Sequence, residues 1–184
     1  MSHPTPGSAP TRAALIAAAR ALFSEAAYEG VGVRDIGARA GVNAALVNRY
    51  FGSKLGLFEA AVADSFTVGN LLVGDRATLG ERLARYLVGR RRAGFDPTLV
   101  VLRSAASADA GPVLRAALDR QVTQPLAAWL GGAHAGARAG LVVATLFGTA
   151  LTRDVLAVAA LGPDRADTLA AYLGPLLQRL VDGD

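Results

Sequence analysis

Cysteine is absent from this 184-residue chain, so a disulfide framework, a thiolate metal site and a cysteine nucleophile are all excluded. Histidine occurs only at His3, near the start, and at His134, within the glycine-rich segment GGAHAGA. Neither lies at a spacing that would assemble a metal site or a Ser/His/Asp triad. The glycine-rich segment also lacks the glycine spacing and the Lys-Ser/Thr ending of a phosphate-binding loop. We therefore expect no metal, no cofactor and no catalysis, and an enzyme of unknown chemistry is kept as the weaker alternative.

Alternation of apolar and polar residues, the pattern of a half-buried strand, is also missing along the chain. The composition is 52% hydrophobic and 18% charged, which argues against disorder and indicates large buried interfaces. The first residues contain no apolar run behind a basic segment, so we expect a disordered tail over 1–10 rather than a signal peptide. These patterns predict an all-α, cytoplasmic protein.

Apolar residues instead recur at helical spacing over most of the sequence. Leu15, Leu22 and Phe23 mark one side of a first amphipathic helix, for which Thr11 is a plausible N-cap. Pro125 and the Gly174-Pro175 pair fall inside helical patterns, where they predict kinks or local breaks. The predicted helices cover 11–28, 33–40, 44–50, 54 to about 72, 78–93, 97–108, 112–130, 138–161 and 164–182.

One segment carries a functional pattern: VRDIGARAGVNAALVNRYFGSK, from Val33 to Lys54, has the layout of a helix-turn-helix. Gly41 suits the turn, and Asn43 suits the N-cap of the second helix. Val47 and Phe51 lie four residues apart and are expected to point into the core. The opposite face then carries Ala44, Ala45, Asn48 and Arg49. Small residues permit close approach to a groove, arginine can pair with guanine and asparagine with adenine, so this face is expected to read bases.

The stretch from Thr11 to about Phe58 resembles the N-terminal domain of the TetR family of transcriptional regulators. The resemblance is carried by the Leu22-Phe23 pair at the end of the first helix and by three short motifs: Val-Arg-Asp-Ile, Ala-Gly-Val and aromatic-Phe-x-Ser-Lys. It implies a three-helix DNA-binding domain over 11–56 and a helical effector-binding and dimerisation domain over 57–184.

The resemblance also implies individual roles in binding DNA. Arg34 is expected to approach a base or a phosphate, while Tyr50 and Lys54 are expected to hold phosphates and so fix the register. Asn48 stands where the family usually has tyrosine and Leu46 where threonine is common, so the operator sequence does not follow from the family. Arg34 and Arg49 as solvated surface arginines, and Tyr50 as core packing, stay open as alternatives. The predicted DNA-contacting residues are Arg34, Asn43, Ala44, Ala45, Leu46, Asn48, Arg49, Tyr50 and Lys54.

Residues 141–161 form a run long enough to span a membrane, but Arg153 and Asp154 interrupt it. We expect no membrane partner and assign the apolar surface of the last two helices to a four-helix bundle completed by a second chain, as in TetR-like dimers. Closure of an intrachain core is the alternative. The predicted interface residues are Leu141, Leu151, Val155, Leu169, Tyr172, Leu173, Leu176, Leu177 and Leu180.

The sequence thus predicts a ligand-responsive repressor that binds a palindromic operator in double-stranded DNA as a homodimer and is released by a small-molecule effector. A non-specific, nucleoid-type DNA binder without a ligand is the second alternative. A pocket needs apolar walls and a few polar groups, although core packing explains most of the aromatic candidates equally well. The candidate effector residues are Phe66, Tyr86, Phe95, Arg103, Trp129, Phe147 and Arg153.

Overall fold

The computed structural model describes residues 8–66, 68–89 and 95–183. Within these ranges the chain forms α-helices, short 3₁₀ turns and two π-helical turns, and contains no β-strand. The all-α prediction is therefore confirmed for the described residues. The α-helices are α1 (Ser8–Glu25), α2 (Val33–Ala40), α3 (Ala45–Phe51), α4 (Lys54–Val62), α5 (Gly69–Leu72), α6 (Leu79–Gly89), α7 (Pro97–Ser104), α8 (Ala110–Leu118), α9 (Gln124–Leu130), α10 (Ala135–Ala150) and α11 (Ala166–Asp182).

The described residues form two compact units. Unit 1 contains the residues up to Ser65 together with those from Phe95 to Arg115, and unit 2 contains the others. Unit 1 thus combines α1 to α4 with α7 and most of α8, although the sequence-based division at residue 56 assigns α7 and α8 to the second domain. The units are discontinuous in sequence, whereas the predicted domains are contiguous.

An aromatic cluster packs the end of α1 against α4 in unit 1. Phe23 and Phe58 are almost completely buried, with ring centroids 4.9 Å apart in an edge-on arrangement. The Tyr28 ring lies 5.2 Å from Phe58, so three aromatic rings share one contact. Burying a side chain of this size stabilises a fold by about 1.5 to 3 kcal/mol. The cluster therefore fixes α4, which directly follows the candidate recognition helix α3.

Close packing of α6 on α11 forms the core of unit 2. Leu83 and Leu177 are buried between these helices, and buried glycines allow their backbones to approach. A Cβ atom added to Gly80 would lie 2.4 Å from the carbonyl oxygen of Gly174 and 2.6 Å from the backbone nitrogen of Gln178. The Gly80 N–H also donates to Oε1 of Gln178 at 2.9 Å. This contact leaves no room for a larger residue.

Helix α1 begins at Ser8, so Thr11 is not its N-cap. Thr11 instead lies inside the helix and is only 3% exposed. Pro10 is compatible with this start because the first turn of a helix has N–H groups without intrahelical acceptors. Ser8, Ala9 and Pro10 therefore belong to α1, and residues 1–7 of the predicted tail lie outside the described residues.

The helix predicted from residue 54 to about 72 ends at Val62. Ala63 leaves the helical region with ψ 132°, and Asp64 has a left-handed φ of +56°. Phe66 and Val68 are buried outside any helix, which explains why the apolar pattern continues beyond the helix end. Gly69–Leu72 then forms the separate helix α5.

Two predicted long helices are interrupted by π-helical turns. Asp119–Thr123 is π-helical and directly precedes α9, with Pro125 in the first turn of α9, so the local break predicted there is confirmed. Proline lacks an N–H and its ring collides with the carbonyl four residues earlier, which a wider turn relieves.

The helix predicted over 138–161 changes to a π-helical turn at Leu151–Val155 and stops before Ala157, whose φ is +52°. Pro175, in contrast, lies inside the uninterrupted α11.

Candidate nucleic-acid interface

A tight turn joins α2 to α3. Gly41 ends α2 in the left-handed region with φ +68° and ψ 27°, which glycine adopts without a steric penalty. The Val42 N–H donates to the Gly37 carbonyl at 3.0 Å. A Cβ atom on Gly37 would lie 3.0 Å from the Cα of Ala44, so the lack of a side chain there lets α2 approach the start of α3. The glycine turn predicted for the helix-turn-helix is confirmed.

The start of α3 is held by a side-chain cap. Oδ1 of Asn43 accepts a hydrogen bond from the Ala45 N–H at 2.8 Å, so the predicted capping residue does bond the helix start, although Ala44 rather than Asn43 directly precedes α3. Ala44 is half-buried between the turn and the helix, and Ala45 is exposed. The first turn of α3 therefore presents only small side chains and one exposed amide.

The two faces of α3 differ sharply in burial. Val47 is completely buried, whereas Asn48 and Arg49 are exposed. Leu46 and Phe51 are half-buried, so Phe51 lies at the edge of the core rather than fully within it. The helix thus offers an amide and a guanidinium on a face with no large apolar residue, as a base-reading helix requires.

Exposed arginines lie on α1, α2 and α3 of unit 1. Arg34 is exposed near the start of α2, and the Arg49 guanidinium carbon lies 6.0 Å from the centre of the Tyr50 ring. Arg12, on the exposed side of α1, places its guanidinium carbon 5.1 Å from the Phe51 ring centre, beside the end of α3. Sequence analysis missed Arg12 because it precedes the motif, and its only signal was a charged residue on the polar side of the first helix.

Lys54 has partners within its own chain. Its Nζ donates to the Tyr28 carbonyl oxygen at 2.5 Å and lies 4.0 Å from the centre of the Tyr28 ring. Burial lowers the pKa of Lys54, while the Glu29 and Asp109 carboxylates act in the opposite direction and favour its charged form. The structure brings this ammonium to the loop between α1 and α2, and its contact with a DNA phosphate stays a prediction.

Unit 2 presents an apolar groove between α10 and α11, with a volume of about 440 Å³. Tyr172 and Leu176, on α11, are 79% and 52% exposed at this groove. The small residues Ala144, Gly148 and Thr149 line its other side. Such a long exposed apolar surface is typical of an interface.

The nine predicted interface residues differ in exposure. Leu177 is completely buried and Leu173 is 8% exposed, because both pack inside unit 2. Leu169 and Leu180 are half-buried. The exposed members are Leu141, Leu151, Val155, Tyr172 and Leu176.

By length and composition, one helical stretch of the described residues, Ala135–Val155, could cross a membrane. Its last turn, however, contains Arg153 and Asp154, which lie 3.8 Å apart (Nε to Oδ1). The Arg153 guanidinium donates to the carbonyls of Leu87 and Val88 at 3.0 and 2.9 Å. These contacts anchor the stretch to α6 within unit 2.

The seven candidate effector residues are divided between the units. Arg103 donates to the Ser24 carbonyl and Arg153 to the end of α6, so the backbone already engages both guanidinium groups. In unit 2, Phe66 is 7% exposed and Tyr86 is 51% exposed. The members in unit 1 are Phe95 and Arg103, and those in unit 2 are Phe66, Tyr86, Trp129, Phe147 and Arg153.

Comparison with known families decides the assignment. Residues 15–61 match the profile of bacterial regulatory proteins of the TetR family, and residues 77–181, more than half of the chain, match the tetracyclin repressor-like C-terminal domain. The chain belongs to the TetR family. It is therefore a ligand-responsive transcriptional regulator, and α2 and α3 are the helix-turn-helix of its DNA-binding domain.

Solved structures agree with the TetR fold. A TetR-family regulator of Streptomyces coelicolor is 29% identical over 98% of this chain and 99% of its own, with a TM-score of 0.59. FadR, the fatty acid degradation regulator of Bacillus halodurans, is 15% identical over 99% and 98% of the two chains, with a TM-score of 0.66. NalD of Pseudomonas aeruginosa, the secondary repressor of the MexAB-OprM multidrug efflux pump, is 20% identical over 90% and 95%, with a TM-score of 0.57. No curated protein sequence matches the chain.

Membership of the TetR family identifies the protein as a transcriptional regulator. In the part of the chain that the structure describes, no group of three or more His, Cys, Asp and Glu residues could hold a metal ion.

Proposed function

We propose that this protein is a cytoplasmic homodimeric repressor that inserts α3 into the major groove of a palindromic operator and leaves it when a small molecule binds unit 2. The observation that carries the proposal is the exposed face of α3, with Asn48 and Arg49 outward and Val47 buried beneath them. A helix in the major groove reads base edges with such residues. Arg34, exposed near the start of α2, and Tyr50, on α3, are proposed to supply the phosphate contacts that set the register.

The exposed apolar surface of α10 and α11 supports the proposed dimer. A symmetric interface uses the same patch of both subunits. Tyr172 and Leu176 would therefore be buried on each of the two subunits. The resulting four-helix bundle also gives the protein two copies of α3, as a palindromic site requires. Because Leu173 and Leu177 are buried within the subunit, the proposed contacts come from the exposed members: Leu141, Leu151, Val155, Tyr172 and Leu176.

The effector is proposed to bind among the helices of unit 2. Phe66, Trp129 and Phe147 are buried or half-buried there and offer apolar contacts. The Trp129 ring is also covered by the Arg76 guanidinium, whose carbon lies 5.4 Å from the ring centre. Since Arg153 already donates to two carbonyls, the proposed pocket favours a largely apolar molecule over one that needs a free guanidinium partner.

Replacing Arg49 tests the proposed reading face. Arg49→Ala is expected to lower affinity for the operator about 5- to 150-fold, equivalent to about 1 to 3 kcal/mol, and to relax the preference at one base pair of each half-site. Affinity for a random duplex should fall much less. The measurement is equilibrium binding to an operator selected from random duplexes, at a fixed salt concentration.

Arg115→Ala is the matched control, because Arg115 is an exposed arginine of unit 1 on α8 and its loss changes the net charge equally. It should leave base preference unchanged. Equal effects of the two substitutions on every sequence would show that Arg49 contributes only general charge, and the proposed reading face would then be wrong.

A further inference from the structure

The side-chain amide of Gln121, in unit 2, has one paired and one unpaired polar atom. Its Oε1 accepts the hydrogen bond from the Phe66 backbone N–H at 3.0 Å. Its Nε2 is buried and has no hydrogen-bond partner among the residues that the structure describes. Exchanging the two atoms would turn the amide nitrogen, itself a donor, toward the Phe66 N–H. The bond to Phe66 therefore identifies the nitrogen as the unpaired atom.

An unpaired amide nitrogen is an unusual feature of a buried side chain. Most buried polar atoms have a hydrogen-bond partner, because a donor that leaves water without finding an acceptor destabilises the fold. Such an atom is completed either by a buried water molecule or by a bound ligand. The Gln121 nitrogen is thus a position where a ligand with an acceptor atom gains a contact.

Pro125 determines the backbone conformation at Gln121. A proline has no N–H to donate to the carbonyl four residues earlier, and its ring would collide with that carbonyl in an α-helix. The carbonyl in question is that of Gln121, and the π-helical turn Asp119–Thr123 relieves the collision. The wider turn also changes the direction of its side chains, and π-helical turns often occur at functional sites.

Two aromatic candidates for the effector site belong to elements that contact Gln121 or its turn. Phe66, whose N–H bonds the amide, is buried between α4 and α5. The π-helical turn also packs against α10, the helix that contains the half-buried Phe147. All three residues belong to unit 2. An apolar region with one placed polar group is typical of a small-molecule site.

The arginines of this part of unit 2 favour an uncharged ligand. Arg153 donates to two carbonyls at the end of α6, and Arg76, over the Trp129 ring, donates to two backbone carbonyls at 2.9 and 2.5 Å. Arg120, which precedes Gln121, is exposed, where water and salt screen its charge. A carboxylate at the Gln121 amide would lose its water while these guanidinium groups remain engaged or solvated.

We propose that Gln121 selects the effector, and that the effector is an uncharged, largely apolar molecule whose oxygen atom accepts a hydrogen bond from Nε2. Ketones, esters and ethers carry such an atom, whereas the corresponding hydrocarbons do not. Because the Phe66 N–H holds the amide in place, the unpaired N–H is preorganised for the ligand. This inference rests on the proposed binding of an effector in unit 2 and adds the chemical class of that effector.

Matched probes test this chemical class on the full chain without DNA. Benzophenone and diphenylmethane differ only in a carbonyl oxygen, as do the smaller acetophenone and ethylbenzene. The ratio of ketone to hydrocarbon affinity, measured by calorimetric titration, should be about 5- to 10-fold higher in the wild type than in Gln121→Glu. The glutamate still accepts from Phe66 but offers the ketone no donor. Differences in ligand hydration cancel in this comparison, because both proteins meet the same probes.

A second variant and a matched control complete the test. Gln121→Met removes the amide without adding a charge and should lower the ratio by a similar factor. Gln124→Glu is the control, because Gln124 is exposed and its Nε2 already donates to Asp119 at 2.7 Å. It should keep the wild-type ratio. Failure of both ketones to bind the wild type, or an unchanged ratio in the Gln121 variants, would overturn the proposal.

Operator release is measured separately, so that the two proposals can fail independently. If the ketones bind through Gln121 but leave operator affinity unchanged, selection by Gln121 stands and the proposed release by an effector is wrong. If ketone and hydrocarbon release the operator equally well from the wild type and from Gln121→Glu, release stands and the role of Gln121 is overturned.

Discussion

Leu176→Asp is expected to convert the protein to a monomer and to lower operator affinity by at least about 100-fold. Leu176 is 52% exposed beside the 79%-exposed Tyr172, at the groove between α10 and α11. In a symmetric dimer the substitution removes two apolar contacts of about 1.5 to 3 kcal/mol each and brings two carboxylates together. Since 1.4 kcal/mol corresponds to a tenfold change, two lost contacts suffice for the expected loss. Sedimentation equilibrium at micromolar concentration measures the assembly state.

Val73→Asp is the matched control for this substitution. Val73 is 73% exposed in unit 2 but lies between α5 and α6, outside the groove. It should leave the protein dimeric with wild-type operator affinity. A Leu176→Asp protein that remains dimeric and binds DNA normally would show that the α10–α11 groove is not the interface.

Gly80→Ala is expected to destabilise unit 2 by about 2 to 3 kcal/mol. The added Cβ atom would lie 2.4 Å from a backbone atom of Gly174 and 2.6 Å from one of Gln178. Backbone atoms cannot move away from such a contact as the end of a flexible side chain can. Overpacking of a closed contact costs about 1 to 3 kcal/mol, and the helix-favouring character of alanine offsets less than 1 kcal/mol of it. A fall of about 5 to 10 °C in Tm is therefore expected in a thermal melt.

Gly89→Ala provides the comparison on the same helix. Among the described residues, no atom outside the local backbone lies within 4 Å of a Cβ atom at Gly89, so this substitution should be neutral or slightly stabilising. If the Gly80→Ala and Gly89→Ala proteins had the same Tm, the close approach of α6 and α11 at Gly80 would be refuted.

The helix-turn-helix could be predicted because its determinants are local. The left-handed Gly41, the capping Asn43 and the buried Val47 lie within seven residues of one another, and each residue type favours its position by itself. The ends of α1 and α4 could not be fixed in this way. Proline is tolerated in a first turn, and buried residues such as Phe66 continue an apolar pattern after the helix has ended.

Contacts between residues that are far apart in the sequence could not be predicted from it. Tyr28 and Ser104 are 76 positions apart, so nothing in a helical pattern indicates that α7 packs in unit 1. For the same reason, the sequence did not indicate that the Tyr28 carbonyl is the partner of Lys54. The motif predicts an ammonium near DNA but does not show which carbonyl groups of the chain lie around it. Leu177 was expected at a dimer interface, but an apolar pattern does not distinguish a surface shared with a partner from the surface that α11 buries against α6.

Selection of bound duplexes from a random library by the wild-type protein tests the proposed function most directly. The exposed face of α3 and the dimer surface together predict an inverted repeat, with half-sites centred about one helical turn of roughly 10 base pairs, or a multiple of it, apart. An even number of protomers should bind each selected duplex, at least about 1000-fold more tightly than a random duplex at the same salt concentration. If no sequence were enriched and all duplexes bound alike with a steep salt dependence, the protein would be a non-specific DNA binder and the proposed operator recognition would be contradicted.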